Sequence, residues 1–466
     1  MALAWQAGVR MAQSQSKLMV RGLCSMKREW SDSSASLLAI AVGEPSSGAS
    51  APLESAPVDL SHLVKAPSDS LMTLHLPFKS SSRLRSQYMN GMGQLRIGKL
   101  LEDLDAFAGT IAYKHCDNGD EGTAPLTLVT ASCDRIDALG PLPPQDMVMV
   151  GACTFVGNSS MNIDLELRPE SGQGHADAPH MAAGVHTTPG QASLLAASLT
   201  FVARHPVSNA AVPVPWLHPK SPVEKGWYAR GRKRQAANRA ARQASLYHTL
   251  PTGNELALVH DMFVSTHGRG GSGRSSFAAA GALLGDVSTA VGQPRPIAST
   301  SMTSHYFTQP TDANIHGKVF GGLLMRKAFE LAYSTAWVYT GARPDFYSLD
   351  DITFLAPVEL GTLLRSSARV EYTAHGISTP GSSSAAPAHF VTVAVSTESL
   401  NPSAGDQVVT NDFHFTFKLR TGIPRVQPQS YAEAMTWLES HRRFNAGQAA
   451  AVERAEAGGA TCQFNP

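Results

Sequence analysis

Residues 312–339 set the terms on which this chain can fold. A polar loop carrying Gly317, Gly321 and Gly322 opens onto about five helical turns in which Leu323, Leu324, Ala328, Leu331, Ala332, Ala336 and Val338 make the helix apolar round most of its circumference. A helix of that kind has no wet face and must be enclosed on nearly all sides. The glycines at its mouth leave backbone N–H groups open to close approach by a ligand, where the helix dipole favours negative charge.

The same pattern occurs earlier in the chain. Asn90, Gly93 and Gly98 stand to one another as Asn314, Gly317 and Gly322 do, each 224 positions (314 − 90, 317 − 93, 322 − 98) before its counterpart. A second apolar helix follows Gly98. Two copies of loop plus buried helix in one chain indicate an internal duplication. The copies differ at the seventh residue after the last glycine, which is Asp105 in the first and Phe329 in the second.

Strand-like runs bracket both helices in the same order. One run precedes the first helix (71–78) and four follow it (126–136, 147–156, 161–167, 194–204). In the second copy, 301–308 precedes and 346–357, 362–373, 389–399 and 408–419 follow. In the last of these Phe413, Phe415, Phe417 and Leu419 alternate with His414, Thr416 and Lys418, which predicts one face against an apolar partner and one face in water. The fold class is α+β. A single apolar helix followed by four strands is hidden only if the sheet curls round it, and two such units side by side remove an exposed edge from each sheet.

The remaining segments divide the chain further. Residues 1–66 read as a transit peptide and linker: Arg10, Lys17, Arg21, Lys27 and Arg28 occur with no acid before Glu29, followed by a Ser/Ala/Pro/Gly run. The predicted domains are then 67–210, a basic helical linker and low-complexity insert over 211–297, 298–425, and a C-terminal helix and tail over 426–466. That helix opens on the capping box Ser430-Tyr-Ala-Glu433 and is expected to run to about Arg443. Further inserts are expected at 169–190, 265–297 and 374–387. Gly268-Arg-Gly270-Gly-Ser-Gly273 spells a dinucleotide fingerprint, yet no strand precedes it and no acid follows at the required distance. The basic run Lys225, Arg230, Arg232, Lys233, Arg234, Arg239 and Arg242 is read as a solvated linker helix in preference to a nucleic-acid or cofactor-phosphate site.

Composition excludes several classes. With 38 basic and 37 acidic residues there is no global field to attract a polyanion. Five cysteines without a C-x-x-C pair argue against a zinc site or a disulfide framework. No apolar run approaches the roughly 20 residues that span a bilayer.

The residues resemble the hotdog-fold acyl-CoA thioesterases, most closely the mitochondrial double-hotdog type. The resemblance rests on Asn314-Ile-His-Gly317-Lys-Val-Phe-Gly321-Gly322 with Met325-Arg-Lys-Ala-Phe-Glu-Leu331, on Asp351-Ile-Thr-Phe-Leu-Ala-Pro357-Val-Glu-Leu-Gly361, and on Arg96-Ile-Gly98-Lys-Leu-Leu-Glu-Asp-Leu-Asp105 with Ala112-Tyr-Lys-His-Cys116. It covers about residues 70–205 and 298–425. It implies two tandem hotdog domains forming an intramolecular double hotdog, a homo-oligomer of such units, and acyl-CoA as substrate with no cofactor. A mitochondrial location is expected, with plastid or cytoplasm as alternatives.

Thioester hydrolysis needs a base to activate water, a group to hold the carbonyl, and donors for the oxyanion. The resemblance implies that an Asn in the loop of one unit works with an acid on the helix of the other. Carried over, these are Asn314 and Asp105, with Asp105 as general base and nucleophilic attack the less favoured variant. Backbone N–H groups near Gly321 or Gly322 would bind the oxyanion, and Gly317 and His316 would border the substrate. The other cleft would pair Asn90 with Phe329 and lacks a base. Glu102 shares the face of Asp105 and is the first backup base, Asp103 is expected to pair outward, and Glu330 lies about 100° round from Phe329. Simpler roles compete: Asn314 as a turn cap, Asp105 as a buried ion-pair partner, the glycines as packing contacts. Other functions on this sequence are a hotdog acyl-CoA hydratase or dehydratase, or a non-catalytic acyl-CoA or RNA-binding protein using 225–242.

Overall fold

The computed structural model describes residues 60–79, 81–118, 126–139, 142–170, 193–206, 208–267, 292–314, 317–377 and 387–456. In each half a strand is followed by a long helix and four more strands. The first half consists of β1 (Met72–Leu76), α1 (Ile97–Cys116), β2 (Thr127–Ala138), β3 (Met147–Val156), β4 (Ser160–Pro169) and β5 (Leu195–Arg204). Two connecting helices follow, α2 (Pro222–Ala244) and α3 (Gly253–His267). The second half is β6 (Met302–Phe307), α4 (Gly321–Thr340), β7 (Asp345–Phe354), β8 (Leu363–Ile377), β9 (Ala388–Asn401) and β10 (Asp406–Leu419), and α5 (Tyr431–Glu456) closes the described chain.

All ten strands form one antiparallel sheet in the order β1-β3-β4-β5-β2-β7-β10-β9-β8-β6. The order reads outward from the middle in the same way on both sides, as the duplication requires. The seam is β2 against β7, with Cys133 opposite Ile352 and Arg135 opposite Asp350. There the Arg135 guanidinium bonds Asp137 of its own strand (2.7 Å) and Asp350 of the other half. Pairing the two β2-type strands leaves only β1 and β6 as sheet edges, which limits unpaired backbone to the two ends.

The apolar helices lie against the sheet, α1 on β2 to β5 and α4 on β6 and β8 to β10. α1 is buried along most of its length, including Glu102, Asp103 and Asp105. α4 ends at Gly341, whose φ of +71° supplies the left-handed cap and whose N–H bonds Trp337 O at 2.8 Å. Phe329 of α4 meets Phe415 and Phe417 of β10 at centroid distances of 5.8 and 5.9 Å, so the alternating aromatics of β10 face the helix.

The opposite face is not wet, contrary to the expectation for His414 and Thr416: Thr416 is buried and His414 half-buried. The reason is α5, which continues past Arg443 to Glu456 and covers β8 to β10. Tyr372 packs on Trp437 and Phe444 at 5.2 and 5.5 Å, and Ser440 donates to Glu371 at 2.7 Å. On the first half α2 plays the equivalent part and is more than a solvated linker. Trp227 packs with Val148, Val150 and Ala152, a Cβ on Gly231 would lie 2.7 Å from Phe155, and Arg234 pairs with Asp164 at 2.7 Å. The insert boundaries also shift: β8 runs to Ile377, and Arg295–Pro296 pairs with Val426–Gln427. The transit-peptide segment and the fingerprint at 268–273 lie outside the described residues.

Candidate active site

The two Asn-Gly loops share their backbone contacts at the residues described in both. Met89 bridges Leu95 as Ala313 bridges Val319. Asn90 N–H bonds Gln94 O at 2.8 Å and Asn314 N–H bonds Lys318 O at 2.7 Å. Gly93 and Gly317 have φ of +74° and +70°, a conformation that favours glycine. The asparagine side chain shapes each turn. Asn90 Oδ1 accepts from Met92 and Gln94 N–H, both at 3.0 Å, and Asn314 Oδ1 accepts from Lys318 N–H at 3.1 Å. Each asparagine side-chain oxygen therefore caps its own turn. Gly317 lies exposed in its turn, and His316 lies outside the described residues.

From these loops the chain enters each helix so that its N-terminus meets the side of the other helix. At the mouth of α4, a Cβ on Gly321 would stand 3.1 Å from Asp105 Oδ2 and 3.3 Å from the Phe354 ring, and one on Gly322 would stand 2.7 Å from Glu102 O. At the mouth of α1, a Cβ on Gly98 would meet Arg326 and Phe329 at 3.2 to 3.4 Å. The two clefts are counterparts, and Asp105 in one is replaced by Phe329 in the other.

Asp105 is 2% exposed. Thr130 Oγ1 donates to its Oδ1 at 2.9 Å, and the Gly322 N–H at the start of α4 also donates to its carboxylate. Burial pushes its pKa up to about 6, while the Thr130 hydroxyl and Gly322 N–H pull it down and the nearby Glu102 charge adds a smaller upward push. An acid of this kind, held by neutral donors and titrating just below neutrality, is ionised at pH 7 yet basic enough to take a proton from water.

Its neighbours are tied to cations. Glu102 pairs with Lys99 at 3.3 Å and with Arg326 of α4 at 3.2 Å. Asp103 turns inward, where it accepts from the Tyr88 hydroxyl and pairs with Lys99 at 3.4 Å, which corrects the expectation that it pairs outward. Its burial beneath the 82–88 helix leaves no route to solvent. Glu330 pairs with Arg326 at 3.1 Å and stands half exposed.

Thr130, Phe354 and Arg326 reach this cleft without a sequence signal for it. Thr130 sits at a register shift of β2 against β5, between Thr130 and Ser132, and such bulges re-aim a side chain in a way that residue spacing does not encode. Among the described residues no group of three or more His, Cys, Asp or Glu is placed to hold a metal ion.

No family model matches the chain. A chloroplastic acyl-coenzyme A thioesterase 2 of Humulus lupulus is 32% identical over 372 residues, which cover 79% of this chain and 77% of that protein. The mitochondrial acyl-coenzyme A thioesterase 9 of Homo sapiens is 30% identical over 380 residues, covering 81% of this chain and 77% of that protein. Among solved structures, an acyl-CoA hydrolase from Staphylococcus aureus in complex with butyryl coenzyme A, coenzyme A and coenzyme A disulfide aligns with 35% of this chain and 95% of its own, at 21% identity and a TM-score of 0.31.

Proposed function

Because this chain belongs to the acyl-coenzyme A thioesterases and is a thioester hydrolase, we propose that it hydrolyses acyl-CoA to a carboxylic acid and CoA at the cleft between Asp105 and the N-terminus of α4. The observation that carries the reading is the Asp105 carboxylate of the first half set against Gly321 and Gly322 of the second. Asp105 takes a proton from water as the water oxygen adds to the thioester carbonyl. The carbonyl electrons move to an oxyanion, which the Gly321 N–H and the α4 dipole stabilise, since the Gly322 N–H is engaged by Asp105 itself. Asn314 donates to the carbonyl oxygen from its amide nitrogen. Collapse of the tetrahedral adduct breaks the carbon–sulfur bond, and CoA leaves as a thiolate that recovers the proton.

Glu102 is instead committed to ion pairs with Lys99 and Arg326. The two halves, 67–210 and 298–425, are read as hotdog domains joined into a double hotdog with one complete site per chain, and such units assemble into a homo-oligomer. Residues 1 to about 28 direct import into an organelle, the mitochondrion in preference to the plastid; the names of the relatives above include both. A reporter fused to 1–40 that stays cytosolic overturns the import reading. The catalytic reading is tested by following thiol release from acyl-CoA esters of several chain lengths. Release with at least one chain length is the expected result, and none with any of them sinks the proposal.

A further inference from the structure

The outer face of the first half carries a surface that hydrolysis does not use. Strand β3 separates it from the catalytic face, since Val148, Val150 and Ala152 pack on Trp227 of α2 while a Cβ on Gly151 would meet Ile111 of α1, the alternation of a strand. Between Glu224 and Glu255 the chain has seven Lys or Arg residues and no acid. Arg234 turns to the sheet and Lys233 pairs with Glu453. Lys225, Arg232 and Arg239 are exposed and recur every seven residues, which aligns them as one stripe along the helix, away from the buried Trp227 and Gly231.

The stripe leads to a turn that is held in place with its apolar side chains in water. Arg442 of α5 donates to Ala244 O at 2.6 Å and to both oxygens of Glu255 at 2.5 and 2.7 Å, clamping the end of α2 to the start of α3. Leu246 N–H bonds Glu439 at 3.0 Å, His248 N–H bonds Ser245 O at 2.8 Å, and the Thr249 hydroxyl bonds Ala244 O at 2.8 Å. On this pinned turn Tyr247 is 92% and Leu250 88% exposed, and Leu256 of α3 is 51% exposed. The backbone hydrogen bonds fix large apolar groups where they gain nothing from the fold, which is the mark of a surface with a partner.

We propose that the Lys225–Arg232–Arg239 stripe and the Tyr247–Leu250 turn dock the protein on an anionic phospholipid bilayer. The stripe complements the headgroup charge, and Tyr247 and Leu250 enter the boundary between headgroups and acyl chains. A nucleic acid also attracts the cations, but an aliphatic Leu250 offers no stacking platform for a base; a bilayer uses both halves of the surface.

The test is co-sedimentation of the full chain with vesicles of phosphatidylcholine alone or with added phosphatidylserine, at low and high salt. Binding is expected only to the anionic vesicles and falls with salt. The triple variant Lys225→Glu, Arg232→Glu, Arg239→Glu weakens it on the order of a hundredfold, and Tyr247→Ser with Leu250→Ser by about tenfold. Both variants melt like the parent and hydrolyse a soluble short-chain acyl-CoA as it does, because the altered residues lie across the sheet from Asp105. Loss of vesicle binding in a variant that has also lost its parent melting profile is set aside in favour of the other variant. Failure of the parent to bind anionic vesicles at low salt, unchanged binding by the folded triple variant, or retention of single-stranded RNA with no vesicle binding each overturns the proposal. Vesicle binding is read without turnover, so its outcome is separate from that of the catalytic reading.

Discussion

The two clefts of this molecule share a loop, a helix mouth and a crossing helix, and they differ in what stands opposite the mouth. Facing the N-terminus of α4 are a carboxylate, Asp105, and its donor Thr130. Facing the N-terminus of α1 is Phe329, held by Phe346, Phe415 and Phe417 at 5.7 to 5.9 Å. Gly321 in the first cleft is also matched by Ile97 in the second (321 − 224). Once duplication makes two copies, one can exchange a costly buried acid for a packed ring while the other keeps it. The same divergence appears where the helices cross, because Glu102 and Arg326 are equivalent positions (326 − 224 = 102) and meet as an ion pair at 3.2 Å. Pairing like halves would bring Glu against Glu or Arg against Arg, so the unlike pair favours first half with second.

The sharpest way to break the comparison is Asp105→Asn. Turnover falls about a thousandfold if Asp105 is the base of the only working cleft, and substantial remaining activity would transfer the role to Glu102 or Glu330. The same variant is more stable at neutral pH. In the folded state Asp105 titrates near 6 against a usual 3.8, so the native protein binds the extra proton between these values. Its contribution to stability is full below pH 3.8 and lost as pH rises through 6, on the order of 3 kcal/mol. Denaturation at pH 8 and at pH 4 should show Asp105→Asn ahead of the parent at the higher pH only.

Next in size is the pair of asparagines. Asn314→Ala is expected to lower kcat about a hundredfold, whereas Asn90→Ala leaves it nearly unchanged. Each costs about 1 kcal/mol of stability through its turn. Equal loss of turnover in two folded variants would mean that the cleft beside Phe329 also contributes to catalysis.

The glycines give a smaller contrast. Gly321→Ala places a methyl group 3.1 Å from the Asp105 carboxylate and should lower kcat about tenfold by displacing it. Gly98→Ala meets Arg326 and Phe329 instead, and should lower the melting temperature with kcat within about twofold of the parent. Reversal of that order in steady-state kinetics would reverse the assignment of the clefts.

The smallest effect sharpens the description of the base. Thr130→Val removes a donor to the ionised form of Asp105, so its pKa rises and the midpoint of the pH–rate profile moves up from about 6. A profile that stays in place would separate the titration seen in turnover from Asp105.

Much of this was legible in the residues because periodicity records burial directly. The all-round apolar helices required enclosure, the 224-residue offset required two equivalent units, and a carboxylate kept in one copy and lacking in the other marked Asp105. Even the order of strands about each helix followed from runs of β-branched and alternating residues. The outer face was not legible in this way. The alternation in β10 marks His414 and Thr416 as polar, and a polar residue reads the same whether water or another helix covers it. α5 covers this face, with Trp437 and Phe444 lying on Tyr372, and Thr416 is buried there.

The sequence by itself determined the repeat, the enclosure of the helices and the candidacy of Asp105, since each follows from residue types at fixed spacing along one element. Only the tertiary structure decided which acid on α1 is held by neutral donors. Glu102, Asp103 and Asp105 lie within four residues, and what separates them is the Arg326 side chain from a helix 224 positions away, the Tyr88 hydroxyl from the preceding segment, and a bulge in β2 that turns Thr130 toward Asp105. A pKa is set by such through-space neighbours and by exclusion of water, and neither is a property of local order in the chain.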